Sequence, residues 1–598
     1  MTRKIILLAF FAVLLFGYSP AAELSMTMPL KNHKQIVGNE VLPNVDAYPL
    51  QPGMTLATTI GTSFYEYQSN GSPGDRIVVC DDGSVYICWM NLSGWPYPPA
   101  PRHIYYNWIS PDGNLLTPDG SQISDLSGSG YCQVSYIYGN RGAITYHCEN
   151  GTNPTYVTLA IEWEPPGMGF FDYYNPPDEI FPQTPTSPGR LYWPYIVVDR
   201  NDNIHIVSTE NTDRRIQRMA YTRSEDGGTT WTSLALVDTV QVISSVLDAS
   251  PVSDRVILAY SKTQDTTTQW NNDIVYFSSN SGTVWDWRYG MNNVTDYGND
   301  NDSLWAYTDL DAIIDYNDYV HIVWNAQWVT DEGVYYNTYL LHYSEETGEI
   351  TEIMHHPDSL WSNISGVWNR PVCKMSLGVI EDDQFSSAIF TTWTQFDTSD
   401  VSAAGFGNGE LYSSFSLDRG STWSVPVNLT NSHSPGCYPG ECESDHWSSL
   451  ADKVELISNR YAKLRYTYIN DKDAGAVIQD PAEGTPTENP VIYDEFLIDL
   501  MNAIPETDNR PTNFSLNQNY PNPFNTKTTI SFALENPSQV LLEVFDISGA
   551  KVETLKDEYM PAGSYDIVWN ADDVASGVYY YKLTDSVTSQ SRQAVLIK

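Results

Sequence analysis

Positive charge is scarce in this chain. Its 598 residues include 31 Lys and Arg against 74 Asp and Glu, a formal net charge of −43. A surface of that sign repels phosphate backbones, which excludes nucleic acid as a partner of the whole chain. Charged residues of either sign are also few, 18% against 41% hydrophobic, so this is not a disordered polyanion. Long apolar runs are missing. The run from Ile5 to Phe16 is closed by Gly17, Tyr18 and Pro20, short of the ~20 residues a membrane-spanning helix needs, so no transmembrane anchor is expected. Cysteines number seven, none in a Cys-x-x-Cys spacing, and an odd count leaves at least one unpaired. Nucleophile elbows, His-Glu-x-x-His helices and phosphate-binding loops are absent as well.

Aromatic residues are plentiful at 13%, with 41 Tyr and 18 Trp beside 38 Gly and 36 Pro. That balance favours turn-rich β-structure over helix. At the N-terminus, Arg3-Lys4, the short apolar run and the small residues Ser19 and Ala21 read as a secretory signal peptide over 1–21. Export permits disulfides. The strands Tyr131–Ile137 and Ala143–Cys148 flank the turn Gly139-Asn140-Arg141-Gly142. Pairing Tyr136 with Ile144 would set Cys132 opposite Cys148, and Cys437-Tyr-Pro-Gly-Glu-Cys442 offers a second pair; buried free thiols are the alternative for each.

The region 76–499 repeats. An apolar strand, an Asp/Asn/Gly turn and a second strand recur as Ile77–Trp89, Ile196–Val207 and Ile313–Trp324. In these copies Cys80, Asp199 and Asp315 stand six residues before Tyr86, His205 and His321. A second unit follows as His103–Gly113, Met219–Gly228, Asp273–Gly282, Tyr339–Gly348 and Glu410–Gly420. The paired units recur about every 60 residues, which predicts an all-β propeller of six or seven blades, seven favoured, with two β-sandwiches as the alternative. Residues 22–75 form an N-terminal segment in which Leu56–Gln68 is a candidate ring-closing strand.

Ser224-Glu-Asp-Gly-Gly-Thr-Thr-Trp231 and Ser416-Leu-Asp-Arg-Gly-Ser-Thr-Trp423 fit the pattern S-x-D-x-G-x-T-W, and Ser278–Trp285 is a degraded copy. Asp226 and Asp418 can accept backbone N–H groups, Gly228 and Gly420 can take positive φ, and Trp231 and Trp423 can pin the turn. These turns resemble the Asp-boxes of sialidase-like propellers, where the resemblance implies scaffold remote from the active site. A sialidase would further need an arginine triad, a Tyr nucleophile with a Glu, and an Asp acid/base. Asp75-Arg76-Ile77-Val78 keeps only Arg-Ile of the element that carries the first arginine. Arg190 and Arg370 could complete a triad, but their spacing does not require it, and no Tyr–Glu pair stands out. Catalytic residues are therefore not assigned.

His205 and His321 occupy equivalent positions and are candidates for metal or for packing. The acidic loops Asp296–Ser303 and Asn470–Gly475 are candidates for structural Ca²⁺ or for solvated turns. Two aromatic and Pro-rich stretches, Trp89–Trp108 and Glu164–Trp193, include Trp95, Tyr97, Tyr105, Tyr106, Trp108, Phe170, Phe171, Tyr173, Tyr174, Tyr192 and Trp193; exposed, they would bind sugar faces or protein surfaces, and buried they fill wedges.

After a linker at 500–513, the segment 514–598 alternates apolar residues as in Val540, Leu542 and Val544, which predicts a small immunoglobulin-like β-sandwich. Asn519-Tyr-Pro-Asn-Pro-Phe-Asn525 (with Pro521, Asn522, Pro523 and Phe524), Phe545-Asp-Ile-Ser-Gly549, Ala562-Gly563, Trp569, Ser576-Gly577-Val578-Tyr579 and Val595-Leu596-Ile597-Lys598 follow in order. Together they resemble the type A C-terminal sorting domain of the type IX secretion system; a carbohydrate-binding module is the alternative. The resemblance implies a Bacteroidota-type envelope, the type IX machinery as partner, and secretion or attachment to the outer cell surface. Three functions follow: a surface-displayed binding or adhesion propeller whose partners are glycans or surface polysaccharide, an exo-glycosidase of sialidase type, or a structural surface-layer protein with no small ligand.

Overall fold

Apolar alternation interrupted by Asx turns every few residues gives short antiparallel strands, and in the computed structural model these assemble four at a time. The structure describes residues 57–500 and 515–598 apart from short stretches (97–99, 149–155, 184–188, 213–215, 265–268, 270, 298–302, 331–332, 357–364, 383–384, 520, 535–537, 561–562, 573 and 585–588). The expected signal peptide, residues 22–56 and most of the expected linker thus lie outside the described residues. Two compact units divide the chain, one ending at Ala503 and the other beginning at Ile504. No helix among the described residues is long and apolar enough to cross a membrane.

In the first unit, the described residues form antiparallel strand groups that follow one another over 77–122, 130–174, 191–240, 245–293, 303–356, 372–428 and 444–499, the fourth joined to the fifth through Asn272 opposite Ala306 and the sixth to the seventh through a short parallel pairing of Val379 with Lys453. In the seventh, Ser444–Leu450 pairs with Tyr461–Asp471, which pairs with Asn489–Asp499. Its fourth strand is Thr58–Ser63 from the other end of the unit, with Thr59 opposite Ile492 and Ser63 opposite Asn489. The first strands of neighbouring sheets lie side by side. The ring closes where Arg76 donates its backbone N–H to Ser449 Oγ (3.1 Å) and its guanidinium to the Trp447 carbonyl. This is a β-propeller. Its core is spread over the wedges between blades rather than gathered in one place. Tyr195, Val207, Met219 and Tyr221 of the third blade meet Leu247, Leu258, Tyr260 and Phe277 of the fourth, and Val323 and Leu340 of the fifth meet Leu377 and Trp393 of the sixth. Both faces of each sheet are therefore buried, which accounts for strands as apolar as Val372–Ile380.

The register of the second blade corrects the first disulfide expectation. Val134 faces Ile144, Tyr136 faces Gly142 and Ile137 faces Arg141, so the turn is tighter than expected and the pairing is displaced by two residues. A bulge between Gly130 and Gln133 then absorbs Cys132, with Tyr131 in the left-handed region at φ 54°. Cys148 faces Tyr156 on the other neighbouring strand, its Sγ 3.4 Å from Ser129 Oγ and 3.5 Å from Thr158 Oγ1. Cys80, Cys88, Cys132, Cys148 and Cys373 are buried free thiols, whereas Cys437 and Cys442 are disulfide-bonded.

The second unit is a two-sheet sandwich. Ser515–Leu516, Lys527–Leu534 and Gly563–Asn570 form one sheet, and Lys551–Met560, Ser538–Asp546, Gly577–Thr584 and Ser589–Leu596 form the other. The alternating side chains Ile530, Phe532, Val540, Leu542, Val544, Tyr581 and Leu583 close its core around Trp569.

Candidate functional site

The centre of the propeller is occupied by its own chain. After the closing strand, residues 64–75 touch the first strands of four blades and the residue entering a fifth. Tyr67 packs against Trp447, with the rings tilted by 52° and centroids 4.2 Å apart. Lys374 Nζ donates to the Gly71 carbonyl (3.1 Å), Tyr195 to the Ser72 carbonyl (3.3 Å) and Ser449 to the Gly74 carbonyl (2.9 Å). Ser244 lies against Gly71, and Val134 donates its N–H to the Asp75 carbonyl (2.7 Å). Around this segment the first strands carry bulges, and Tyr131, Trp193, Lys374 and Trp447 sit there at φ 45–57°. A left-handed non-glycine residue costs on the order of 1–3 kcal/mol, so the surrounding contacts must hold these four in place.

Beside this segment lies a set of reactive side chains. Tyr131 and His147 have centroids 5.4 Å apart, and His147 and Tyr192 5.3 Å. The Arg102 guanidinium lies over Tyr65 and Tyr131, 4.8 and 5.6 Å from their centroids, while Nε holds the Ser129 carbonyl (2.8 Å). His147 is buried and its Nδ1 has no hydrogen-bond partner. Burial, then the Arg102 charge, holds the imidazole well below its ordinary pKa, so at neutral pH it is an uncharged proton acceptor. No sequence pattern marked this cluster, because its members come from three blades and the N-terminal segment.

The arginines considered for a triad do not converge through their contacts. Arg76 is buried on the Trp447 carbonyl, and burial pulls its guanidinium down to about 10. Arg190 pairs with Asp178 (3.6 Å) and with Glu179. Arg370 lies over the Tyr307 ring at 4.0 Å and donates to the Asn369 carbonyl (3.0 Å).

The aromatic stretches divide. Phe171 and Tyr106 are buried, Trp193 is 4% exposed, and Tyr105, Trp108, Tyr174 and Tyr192 are partly covered; Tyr97 lies outside the described residues. Trp163 and Phe170, by contrast, are 49% and 55% exposed, with centroids 5.6 Å apart and rings inclined by 32°. They face one another across the hairpin Trp163-Glu-Pro-Pro-Gly-Met-Gly-Phe170, closed by Trp163 N–H to the Phe170 carbonyl (2.8 Å). The hairpin is rigid because the buried Glu162 carboxylate accepts N–H from Gly167 (3.0 Å) and Gly169 (2.9 Å) and hydroxyls from Tyr86 and Tyr106. Met168 and Tyr173 add exposed apolar surface, and Trp95 is exposed on the first blade. Trp163 lies one residue before the aromatic stretch singled out in the sequence.

Both box turns are closed by their own side chains. Asp226 accepts from Thr230 N–H (2.7 Å) and Thr230 Oγ1 (2.7 Å), and Asp418 from Thr422 N–H (2.8 Å) and Thr422 Oγ1 (2.7 Å). Those bonds hold the Asp226 carboxyl below its usual range. Trp231 Nε1 donates to the Gly228 carbonyl (2.9 Å), and Trp423 Nε1 to Thr351 Oγ1 (3.1 Å). Gly228 lies against Tyr174 and Leu159 and Gly420 against His342, each on the preceding blade. The buried His205 is bound by Tyr221 (2.6 Å) and Asp199 (3.2 Å), and His321 by His342 (3.1 Å) and Asp315 (3.5 Å). The six-residue spacing therefore connects the Asp of a turn to the next strand, and in the two His copies the pair is a packing contact. In the loop Asn470–Gly475, Asp471 accepts from Asp473 N–H (3.1 Å) and Asp473 from Thr485 N–H (2.6 Å). Part of Asp296–Ser303 lies outside the described residues.

In the second unit, the Asn519–Asn525 motif is stitched to the last strand. Buried Asn519 donates to Thr528 Oγ1 (2.9 Å) and the Pro521 carbonyl (3.2 Å). Asn522 Oδ1 accepts from Val595 N–H (2.9 Å), Phe524 N–H donates to the Val595 carbonyl (2.9 Å), and the Phe524 ring meets Trp569 (5.2 Å). Gly549 takes φ 82° in its turn, while Gly563 and Gly577 begin strands. Residues 518–598 match the family model described as the secretion system C-terminal sorting domain. The chain ends in a secretion-system sorting domain. Such a domain marks the protein for export. No curated protein matches the chain. Among solved structures it is similar to a polysaccharide lyase of the ulvan lyase family, PL25, at 13% identity over 72% of this chain and 99% of the other, TM-score 0.42. A Penicillium chrysogenum α-L-arabinanase is similar at 12% identity over 64% and 99%, TM-score 0.35, and a Hadza microbial sialidase at 11% over 67% and 74%, TM-score 0.34.

Proposed function

We propose that the mature chain is a glycan-binding propeller, exported by the type IX machinery through its sorting domain and displayed on or released from the outer cell surface. The observation that carries this reading is the Trp163–Phe170 pair, two exposed rings held on a hairpin that Glu162 fixes from beneath. Rigid aromatic faces bind the apolar faces of sugars with little ordering cost. Binding of the mature chain to a polysaccharide array tests it. Trp163→Ala with Phe170→Ala weakens retention at least tenfold, about 1.4 kcal/mol or more, at unchanged melting temperature. Retention unaffected by the double variant, or none on any glycan, refutes it.

A second reading, a glycan-acting enzyme, is favoured by one observation: the neutral His147, its Nδ1 without a hydrogen-bond partner, between Tyr131 and Tyr192 beside Arg102. Acid–base chemistry would fall to this group, and a sialidase-type triad is not part of it. Depolymerisation by the mature chain, lost in His147→Ala, would replace the binding reading with this one.

A further inference from the structure

Away from the centre and the aromatic pair, the hairpin of the sixth blade and the loop leaving that blade bring together two carboxylates and an imidazole. Asp400 ends the strand Ile389–Val401, Glu410 lies on Gly407–Ser416, and His433 is in the loop before Ser444–Leu450. One ligand atom from each lies within 4.8 Å of the others. His433 Nδ1 is 3.2 Å from Asp400 Oδ2. Two ligand atoms each ~2.0 Å from a tetrahedral zinc are about 3.3 Å apart, so this edge is already set for one.

The three groups are held rather than met by chance. Asp400, 2% exposed at its side chain, has Oδ1 fixed by Asn408 Nδ2 (2.7 Å) and Ser434 N–H (3.2 Å). Ser434 N–H also reaches Oδ2 (3.2 Å). Glu410 Oε2 accepts from Asn428, but its Oε1 is buried without any partner. The loop carrying His433 is tied to the hairpin by Gly436 N–H to the Val401 carbonyl (2.7 Å) and Ala403 N–H to the Cys437 carbonyl (2.9 Å), and is closed by the Cys437–Cys442 disulfide. His433 is one-third exposed, which leaves a solvent side.

We propose that Asp400, Glu410 and His433 form a binding site for a divalent transition metal, zinc being the best fit. Two carboxylates facing one imidazole are a donor set whose negative charge a dication neutralises. The orphaned Glu410 Oε1 gains a partner in the ion. An imidazole with only two carboxylates suits zinc or a neighbouring first-row ion, with water in the fourth position. Calcium wants six to eight oxygens and gains nothing from the ring. The metal would fasten the disulfide-closed loop to the sixth blade.

The test is calorimetric titration of the chelator-treated mature chain with ZnCl₂, with metal analysis of the loaded protein. One zinc per chain is expected, with no displacement by millimolar Ca²⁺. His433→Ala, at a half-open position where folding is undisturbed, weakens binding at least about 100-fold. Glu410→Gln, which keeps the Asn428 contact, also weakens it while leaving the melting temperature of the metal-free protein within a degree. Cobalt loading of the wild type gives visible tetrahedral d–d absorption that His433→Ala loses. Absence of stoichiometric zinc, or equal affinity in His433→Ala, overturns the proposal.

Discussion

Replacing Gly420 by Ala tests whether the box turn is a packing device. Gly420 has φ +83°, a region costing an L-residue with a Cβ about 1–2 kcal/mol. A Cβ there would also run into the His342 ring, far inside contact distance. That ring cannot step aside. It is fully buried, stacked on His321 (5.3 Å, 15°) and met edge-on by Trp423 (5.0 Å, 71°). Overpacking of this kind costs about 1–3 kcal/mol, so the total is roughly 2–5 kcal/mol. Gly405 supplies the control. Its φ is +95° with open space around its Cβ, so Gly405→Ala carries only the backbone cost. A propeller of this size unfolds with an entropy on the order of 1 kcal/mol per degree. Gly420→Ala should therefore lower the melting temperature by about 2–5 °C and Gly405→Ala by about 1–2 °C in calorimetric scans. The double variant Gly420→Ala, His342→Ala should recover part of the difference between them. If Gly420→Ala is no more destabilising than Gly405→Ala, the contact between box and preceding blade does not bear on stability, and the reasoning fails.

Burial pushes the Asp452 carboxyl up to about 7, and burial, then the Asp452 charge, pushes Asp311 up to about 8. The folded chain thus keeps a proton that the unfolded chain loses above about pH 4, so stability from this site falls as pH rises from 4 to 7. Asp452→Asn should stabilise at pH 8 by on the order of 1–2 kcal/mol and be near neutral at pH 4; loss of stability at pH 8 in thermal scans counts against the assignment. Glu162→Ala removes the acceptor for two N–H groups and two hydroxyls. It should cost about 2–4 kcal/mol and weaken glycan retention even though Glu162 touches no ligand; unchanged retention would separate the hairpin from binding. Ile60→Asp buries an unpaired charge in the closing strand and should lower the propeller transition by several degrees while leaving that of the sorting domain in place, as read by calorimetry.

Much of the architecture was legible because it is written locally. The repeated strand–turn–strand units, the box turns and the alternation of the last 85 residues depend on neighbours a few positions apart. The closing strand Thr58–Ser63 lies within the segment read as its candidate. What depended on register was not legible. A turn tighter by two residues, with Arg141 and Gly142 in the strand rather than the turn, and one bulge moved Cys132 off its expected neighbour. The cluster around His147 was illegible in principle, since Arg102, Tyr131, His147 and Tyr192 come from three successive blades and meet only when those blades pack side by side. Trp163 escaped notice for a different reason. Nothing in a sequence distinguishes a Trp held outward by a Glu-anchored hairpin from one folded into a wedge.

The same contacts that fill the centre bear on where recognition happens. Residues 64–75 are bound by side chains from blades three, six and seven, and four first-strand residues adopt left-handed backbone around them. Strain distributed over four blades persists only if the filled state is over-determined, so the segment is part of the ring's stability rather than a removable cover. An extended polysaccharide could then reach the centre only by displacing Tyr67 from Trp447 and breaking the Lys374 contact. The exposed pair on the second blade asks for no such rearrangement. If binding is rim-based, Tyr67→Ala should loosen the centre without changing glycan affinity, whereas a central site would gain affinity from the same substitution. No change against a gain, from one variant, separates the two readings of function.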